Sequence, residues 1–358
     1  MAAADPFAVI ETETPSFGET EVRQIVRAHY GLNVSLDPLL SERDQNFHMR
    51  CADGREFVLK IANAAEDPQA TEFQVAALQH LEAYLAANES PVIVPRIVKT
   101  LSGESSITVE SGSSQHVTRV ITYLPGVPLG RTSPSDELCR DLGIHLAHLG
   151  RALRDFEHPG SGHGLLWDIQ QALQLRRILD HVDDRKMRAT VAATLDDFES
   201  CALPGLGSLR TQVIHSDLNP ENVLIDTDDG SRVAGIIDFG DMLKAPLIVD
   251  VAVACSYLRT LDGNPLARIA EFLSAYHSVT PLELEEIDLL FDLIKTRLAA
   301  TISILAWRAS LRGADDAYLR EAVASENSAA DFLERIQELP RDHARQTFRQ
   351  VCASQAAS

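Results

Sequence analysis

Three short β-prone runs, at residues 212–215, 223–226 and 233–237, are joined by polar loops that hold a dense group of oxygen-bearing side chains. The first loop reads His215-Ser-Asp217-Leu-Asn-Pro-Glu-Asn222, and Asp238 follows Asn222 by sixteen residues in Ile-Ile-Asp-Phe-Gly-Asp. Any fold the chain adopts has to present this stretch as one unit. A carboxylate that can orient an attacking hydroxyl, together with oxygen ligands that can hold Mg²⁺ across nucleotide phosphates, is what phosphoryl transfer asks of a protein.

Asp217, two residues past a strand end, is placed to accept the proton of a hydroxyl nucleophile. Asn222, five positions later, can cross the same loop and present its side-chain carbonyl to the metal, and Asp238 supplies a second oxygen ligand from another strand end. Each residue alone would read as an ordinary turn residue. Their joint spacing argues against that.

Length and composition bound the rest. The chain's 358 residues, 45% of them hydrophobic, predict two cores that meet at a cleft. With 32 basic against 52 acidic side chains the formal net charge is −20, which opposes binding to a phosphate backbone and suits cationic ligands; solubility alone also explains such an excess. Five scattered cysteines form no Cys-x-x-Cys pair, so neither a disulfide framework nor a zinc site is expected. The first six residues lack a basic, then apolar, leader and no apolar run reaches membrane-spanning length, which predicts a cytoplasmic protein with no membrane partner.

Along the chain, residues 18–30 carry apolar side chains at helical spacing before Gly31. Residues 46–51 and 55–61 flank Asp53-Gly54 and predict a hairpin, with Lys60 on its second strand. An amphipathic helix is expected at 71–85, opening near Glu72, with further strands at 93–98, 106–110 and 116–122. Thr122-Tyr123-Leu124-Pro125-Gly126 then breaks the pattern, and helices dominate beyond it. The expected division is therefore a β-rich part at 1–122, a hinge at 123–127 and a mainly helical part at 128–358. The helical part opens with a leucine-striped helix over 135–156, has further helices at 168–200, and is helical again to about 350 after the three short strands.

The loop and Asp238 resemble the catalytic and metal motifs of the aminoglycoside phosphotransferase and choline kinase superfamily. Ser41-Glu-Arg-Asp-Gln-Asn46-Phe-His48, Leu59-Lys60-Ile61, Thr122-Tyr-Leu-Pro-Gly126, Ile237-Asp-Phe-Gly-Asp-Met242 and Val279-Thr-Pro-Leu282 narrow the likeness to the hydroxylysine kinase subgroup. The resemblance covers about 20–310. It implies an α+β, bilobal protein-kinase-like fold with a small β-rich N-lobe and a larger, mainly helical C-lobe. It also implies transfer of the γ-phosphoryl group of ATP or GTP to the hydroxyl of a small amine-bearing acceptor, 5-hydroxylysine above all, with Mg²⁺ and a lean toward GTP. Homoserine, choline, ethanolamine and aminoglycosides are the other acceptors of this type, and a non-catalytic nucleotide-binding protein of the same fold is the reading from another class. A protein kinase would need a glycine-rich loop and an Ala-Pro-Glu segment, which the chain lacks.

Carried over residue by residue, the likeness makes Asp217 the catalytic aspartate, His215 the loop histidine beneath it, Asn222 and Asp238 the metal ligands, and Lys60 the lysine that neutralises phosphate charge. Glu72 is the expected anionic partner of Lys60, with Glu66 as its rival. The segment from Ser41 to Asn46 has no glycine, so backbone N–H groups or the Ser41 and Asn46 side chains would have to meet the phosphates. Backbone groups of Tyr123 and Leu124 are expected at the base. Trp167, Arg297 and Trp307 are candidate pocket residues, with Arg297 gripping a substrate carboxylate; a place in the core is the competing reading. His145 and His148, three apart with no acidic or cysteine partner evident, are expected to be plain core or surface histidines, and Asp250 and Asp241 to cap or brace a helix behind the catalytic loop rather than touch substrate.

Overall fold

A computed structural model of the chain describes residues 7–312 and 317–355. Residues 1–6, on which the expectation about a leader rests, and 313–316, inside the run expected to be helical, lie outside the described residues. Among the described residues there are two compact units. The first is formed by the chain up to Asn88 with Val94–Pro125 and His158–Leu165, the second by Glu89–Ile93, Gly126–Glu157 and the chain from Leu166 onward.

The first unit starts with α1 (Ala8–Glu11) and α2 (Glu19–Tyr30), the latter ended by Gly31 in the left-handed conformation at φ +67. Then come β1 (Val34–Leu39), β2 (Gln45–Cys51), β3 (Glu56–Ile61), α3 (Pro68–Ala87), β4 (Ile97–Val98), β5 (Ile107–Ser111) and β6 (Ser114–Thr122). The strands form one antiparallel sheet in the order β1-β2-β3-β6-β4, with β5 also paired to β6. Val22, Val26 and Tyr30 of α2 pack on Phe47, Met49, Leu59, Ile61 and Val120 of the sheet, so alternate residues of β2, β3 and β6 face a dry core. The residues between them face the other way, and Lys60 is one of those.

Two expectations are corrected here. The strand drawn at 93–98 shrinks to Ile97–Val98, because Pro95 interrupts it with a residue that cannot donate to a ladder. β1 is an addition to the expected strands: Asp37 and Pro38 break its alternation, and it tolerates the proline because it lies at the sheet edge.

The second unit contains β7 (Val127–Pro128), α4 (Asp136–Leu153), a 3₁₀ run over Ile169–His181, α5 (Arg185–Asp197) and α6 (Leu203–Leu206). It continues with β8 (Thr211–Ile214), β9 (Val223–Ile225), β10 (Val233–Ile236), β11 (Leu243–Pro246), α7 (Leu247–Tyr257), α8 (Ala267–Val279), α9 (Leu284–Arg312), α10 (Ala317–Gln337) and α11 (Arg341–Gln355). Ser135 caps α4 by accepting from Leu138 N–H at 3.1 Å, and the expected leucine stripe of this helix is buried. α4 crosses α8 closely at Gly143, where a Cβ would fall 2.4 Å from Phe272 O.

The short strands pair as β10-β9-β7 and β11-β8, all antiparallel. Gly126 enters β7 at φ +149, where a side chain would meet Leu224 Cβ at 2.8 Å, so no other residue fits this backbone without displacement. The 29-residue α9 is about 44 Å long and buries residues on every side, including Arg297 and Arg308. The class is α+β, strand-rich in the first unit and mainly helical in the second.

Candidate active site

β8 ends at Ile214 and the backbone turns sharply through His215, Ser216 and Asp217, with Ser216 in the left-handed region at φ +65. Such a turn exposes backbone donors that the strand no longer pairs. Asp250, one turn into α7, accepts both of them: His215 N–H at 3.2 Å on Oδ2 and Ser216 N–H at 2.8 Å on Oδ1. Burial pushes the Asp250 carboxyl up to about 6, opposed by these two bonds. Asp250 therefore braces the loop itself from α7, rather than capping or bracing a helix behind it as expected. His215 is fully buried, 3.1 Å by Nε2 from Ile237 O and edge-on to Phe239, and its Nδ1 accepts from Asp217 N–H at 3.3 Å. The histidine thus links the loop to the strand end that carries Asp238.

Both oxygens of Asp217 are held. Oδ2 accepts from Asn222 Nδ2 at 2.8 Å and Asn219 Nδ2 at 2.9 Å, and Oδ1 accepts from Arg297 Nη2 at 3.1 Å. Burial, reinforced by the nearby Asp241, pushes Asp217 up to about 8, with Arg297 and Asn219 opposing and Asp238 adding to the rise. Asn222 spends its amide nitrogen on Asp217, which leaves its carbonyl oxygen as the end that can meet a cation. Asp238 follows β10 in the left-handed region at φ +57 and accepts Gly240 N–H on Oδ1 at 3.2 Å. An amide carbonyl and a carboxylate are hard oxygen donors of the kind Mg²⁺ takes. The loop residues expected to act together are thereby brought together.

Arg297 departs from its expected role as a grip for a substrate carboxylate. It is 1% exposed, and α9 carries it into the interior, where Nη2 is shared between Asp217 and Tyr257 Oη at 3.2 Å and Nη1 meets Trp167 O at 3.2 Å. Its guanidinium lies over the Trp167 ring at 4.7 Å. Trp307 is buried ten residues further along α9, about 15 Å away by helical rise, and belongs to the core rather than to the Asp217 cluster. His145 does have an acidic neighbour, contrary to expectation: its Nδ1 lies 2.8 Å from Asp141 O and 3.4 Å from the Asp141 carboxylate.

In the first unit Lys60 lies on β3 opposite Asn46 of β2 and Arg119 of β6, and all three are buried. Ser41 Oγ accepts from Asp44 N–H at 3.2 Å, which folds the glycine-free segment on itself. Tyr123 stacks on His48 at 4.1 Å, and its N–H is already engaged with Glu56 O at 3.3 Å, so its carbonyl is the group left for a ligand; Leu124 follows, half-buried.

The expected partner Glu72 is exposed. Asp67 caps α3 by accepting Gln69 N–H, and the helix starts at Pro68 rather than near Glu72, a phase that turns Thr71 and Gln74 inward instead. The rival Glu66 accepts from Gln74 Nε2 at 3.1 Å, and Gln74 Oε1 in turn accepts from Arg119. The Asp67-Pro68 pair is the sequence signal that locates the helix start. In the second unit Asn219 and Tyr257 join the Asp217 cluster, and in the first Gln74 and Arg119 lie beside Lys60, none of them expected there; only Asn219, inside the loop, has a local cue.

A family model described as "Phosphotransferase enzyme family" matches residues 36–286. The chain belongs to this family. It is 28% identical over 339 residues to hydroxylysine kinase of Xenopus laevis, covering 89% of this chain and 90% of that one, and 29% identical over 327 residues to hydroxylysine kinase of Bos taurus, covering 85% and 86%. Among solved structures it resembles the amicoumacin kinase complex with AMP-PNP, Ca²⁺ and Ami, with a TM-score of 0.68 at 14% identity over 91% of this chain and 95% of that one. It also resembles a microcompartment-associated aminopropanol kinase, with a TM-score of 0.63 at 18% identity over 89% and 98%. The protein-kinase-like fold and membership of the phosphotransferases that act on hydroxyl groups follow. No helix among the described residues is long and apolar enough to cross a membrane.

Proposed function

We propose that this phosphotransferase moves the γ-phosphoryl group of ATP or GTP to the hydroxyl of 5-hydroxylysine. The observation that carries the transfer is the orientation of Asp217, whose two oxygens are fixed from three sides by Asn219, Asn222 and Arg297. The acceptor rests on the likeness to hydroxylysine kinases over most of both chains. The excess of 52 acidic over 32 basic side chains is compatible with an amine-bearing acceptor.

In this reading residues 1–122 are the N-lobe, which holds the nucleotide phosphates, 123–127 the hinge, and 128–358 the catalytic C-lobe. Lys60 offsets phosphate charge, with Ser41 and Asn46 contributing hydrogen bonds, and backbone groups at Tyr123 and Leu124 meet the base. Asn222 Oδ1 and the Asp238 carboxylate would hold Mg²⁺, which would supply positive charge to offset that of the nucleotide phosphates. Asp217 takes the proton of the acceptor hydroxyl as that oxygen bonds to the γ-phosphorus and the bond to the β-phosphate bridging oxygen breaks, leaving the nucleoside diphosphate. His215 holds the Asp217 backbone, and Arg297 fixes the carboxylate's rotation.

A panel of 5-hydroxylysine, homoserine, choline, ethanolamine and an aminoglycoside, each assayed with ATP and with GTP in the presence of Mg²⁺, tests the proposal. The highest kcat/KM is expected for 5-hydroxylysine. A preference of tenfold or more for another acceptor, about 1.4 kcal/mol of transition-state binding, would reassign the substrate.

A further inference from the structure

Three polar side chains cross one face of the first unit's sheet in a row. Asn46 of β2 is the partner of Lys60 on β3, and Lys60 is the partner of Arg119 on β6; directly opposed residues of antiparallel strands project from the same face. Their exposures are 8%, 7% and 3%. The arrangement is costly by itself. Like charges opposed on neighbouring strands repel, and a buried guanidinium is tolerated only when it is paired.

The pairing present is partial. Arg119 Nη2 donates to Gln74 Oε1 on α3, and Gln74 Nε2 donates to Glu66 Oε1 at 3.1 Å, so among the described residues the guanidinium reaches this acid through a neutral amide. The Glu66 carboxyl is itself pushed up by burial and by Asp44, with Arg43 and Arg119 opposing, which weakens it as a counter-charge. Among the described residues Arg119 Nη1 and Asn46 Oδ1 are buried without a hydrogen-bond partner. A buried donor left without an acceptor is costly, and an incoming anion removes that cost.

We propose that Arg119 is a second phosphate-binding cation for the nucleotide donor, acting beside Lys60 through its unpaired Nη1. The inference rests on the nucleotide-dependent reading above. Neighbouring strands are about 4.8 Å apart, so two cations on adjacent strands can serve successive groups of a diphosphate or triphosphate chain. Gln74 orients the guanidinium without neutralising it, which a glutamate at that position would do.

The test is calorimetric binding of ADP, AMP and inorganic tripolyphosphate, with Mg²⁺, to the wild type, Arg119→Met and Arg119→Lys. Arg119→Met is expected to lose tenfold or more in affinity for ADP and tripolyphosphate, with AMP little changed, and Arg119→Lys to retain part of that affinity. The melting temperature of ligand-free Arg119→Met should stay close to that of the wild type, because the buried unmade hydrogen bond of Nη1 is removed together with the bond to Gln74. Wild-type affinity for ADP and tripolyphosphate in Arg119→Met would overturn the proposal. So would a parallel loss for ADP and AMP with a lowered melting temperature, the signature of a purely structural brace. A wild type that binds no nucleotide would overturn the donor reading first, and this inference with it.

Discussion

Arg297 Nη2 lies 3.1 Å from Asp217 Oδ1, which ties the loop after β8 to the middle of the longest helix among the described residues. The guanidinium is gripped from behind by Trp167 O and Tyr257 Oη, so its plane is set before it reaches the carboxylate. A planar fork held this way fixes the rotation of a carboxylate as well as its charge.

Arg297→Ala is expected to lower kcat by about 10²-fold while leaving the nucleotide KM little changed, because it releases the position of the base rather than a nucleotide contact. Arg297→Lys restores the charge without the fork and should recover only part of the loss, whereas added guanidinium ion should partly rescue the alanine variant. Steady-state kinetics with the best acceptor check this. Full activity of the alanine variant would show that Asn219 and Asn222 orient Asp217 unaided.

Asp250→Ala leaves the His215 and Ser216 N–H groups buried without acceptors. The expected loss is about 2–4 kcal/mol in unfolding free energy, read from urea denaturation, with a fall in kcat as the loop loosens. A loss below about 1 kcal/mol would mean that water or a shifted loop replaces the carboxylate.

The Asp217 carboxyl, raised by burial to about 8 from an ordinary 3.8, sets a pH dependence of stability. Across that window the folded state of the nucleotide-free protein favours the protonated carboxyl more than the unfolded state does. Stability from this group is complete below the unfolded value and disappears as pH rises through the folded one. Between pH 5 and 8 the wild type should therefore lose at least about 1 kcal/mol relative to Asp217→Asn, since a tenfold difference in proton affinity between the folded and unfolded states is worth about 1.4 kcal/mol. Parallel urea-denaturation profiles of the two proteins across that range would contradict it.

What is legible in the sequence is local. His215, Asp217, Asn222 and Asp238 can be placed because strand ends and loop spacing lie within a few tens of residues, and the leucines of α4 because their period is their burial pattern. Arg297 cannot be placed, since its partner is 80 positions away and a basic residue on a helix gives no sign of whether it turns inward. Asp250 reads as a brace, but the two donors it accepts follow from the positive φ of Ser216, which side-chain identities do not announce. Glu72 is misplaced by phase: starting α3 at Pro68 turns it to solvent and puts the neutral Gln74 inside. β1 is hidden because an edge strand can carry a proline that a central strand cannot.

The central claim is that Asp217 accepts the proton of a hydroxyl as a nucleotide's γ-phosphoryl group is transferred. Its most direct measurement pairs phosphoryl transfer by Asp217→Asn, followed by ³¹P NMR with 5-hydroxylysine and Mg²⁺-nucleotide, with calorimetric nucleotide binding by the same variant. Turnover is predicted to fall by about 10²-fold or more, the range of general base catalysis, with nucleotide affinity retained. Turnover at the wild-type rate in that variant would contradict it.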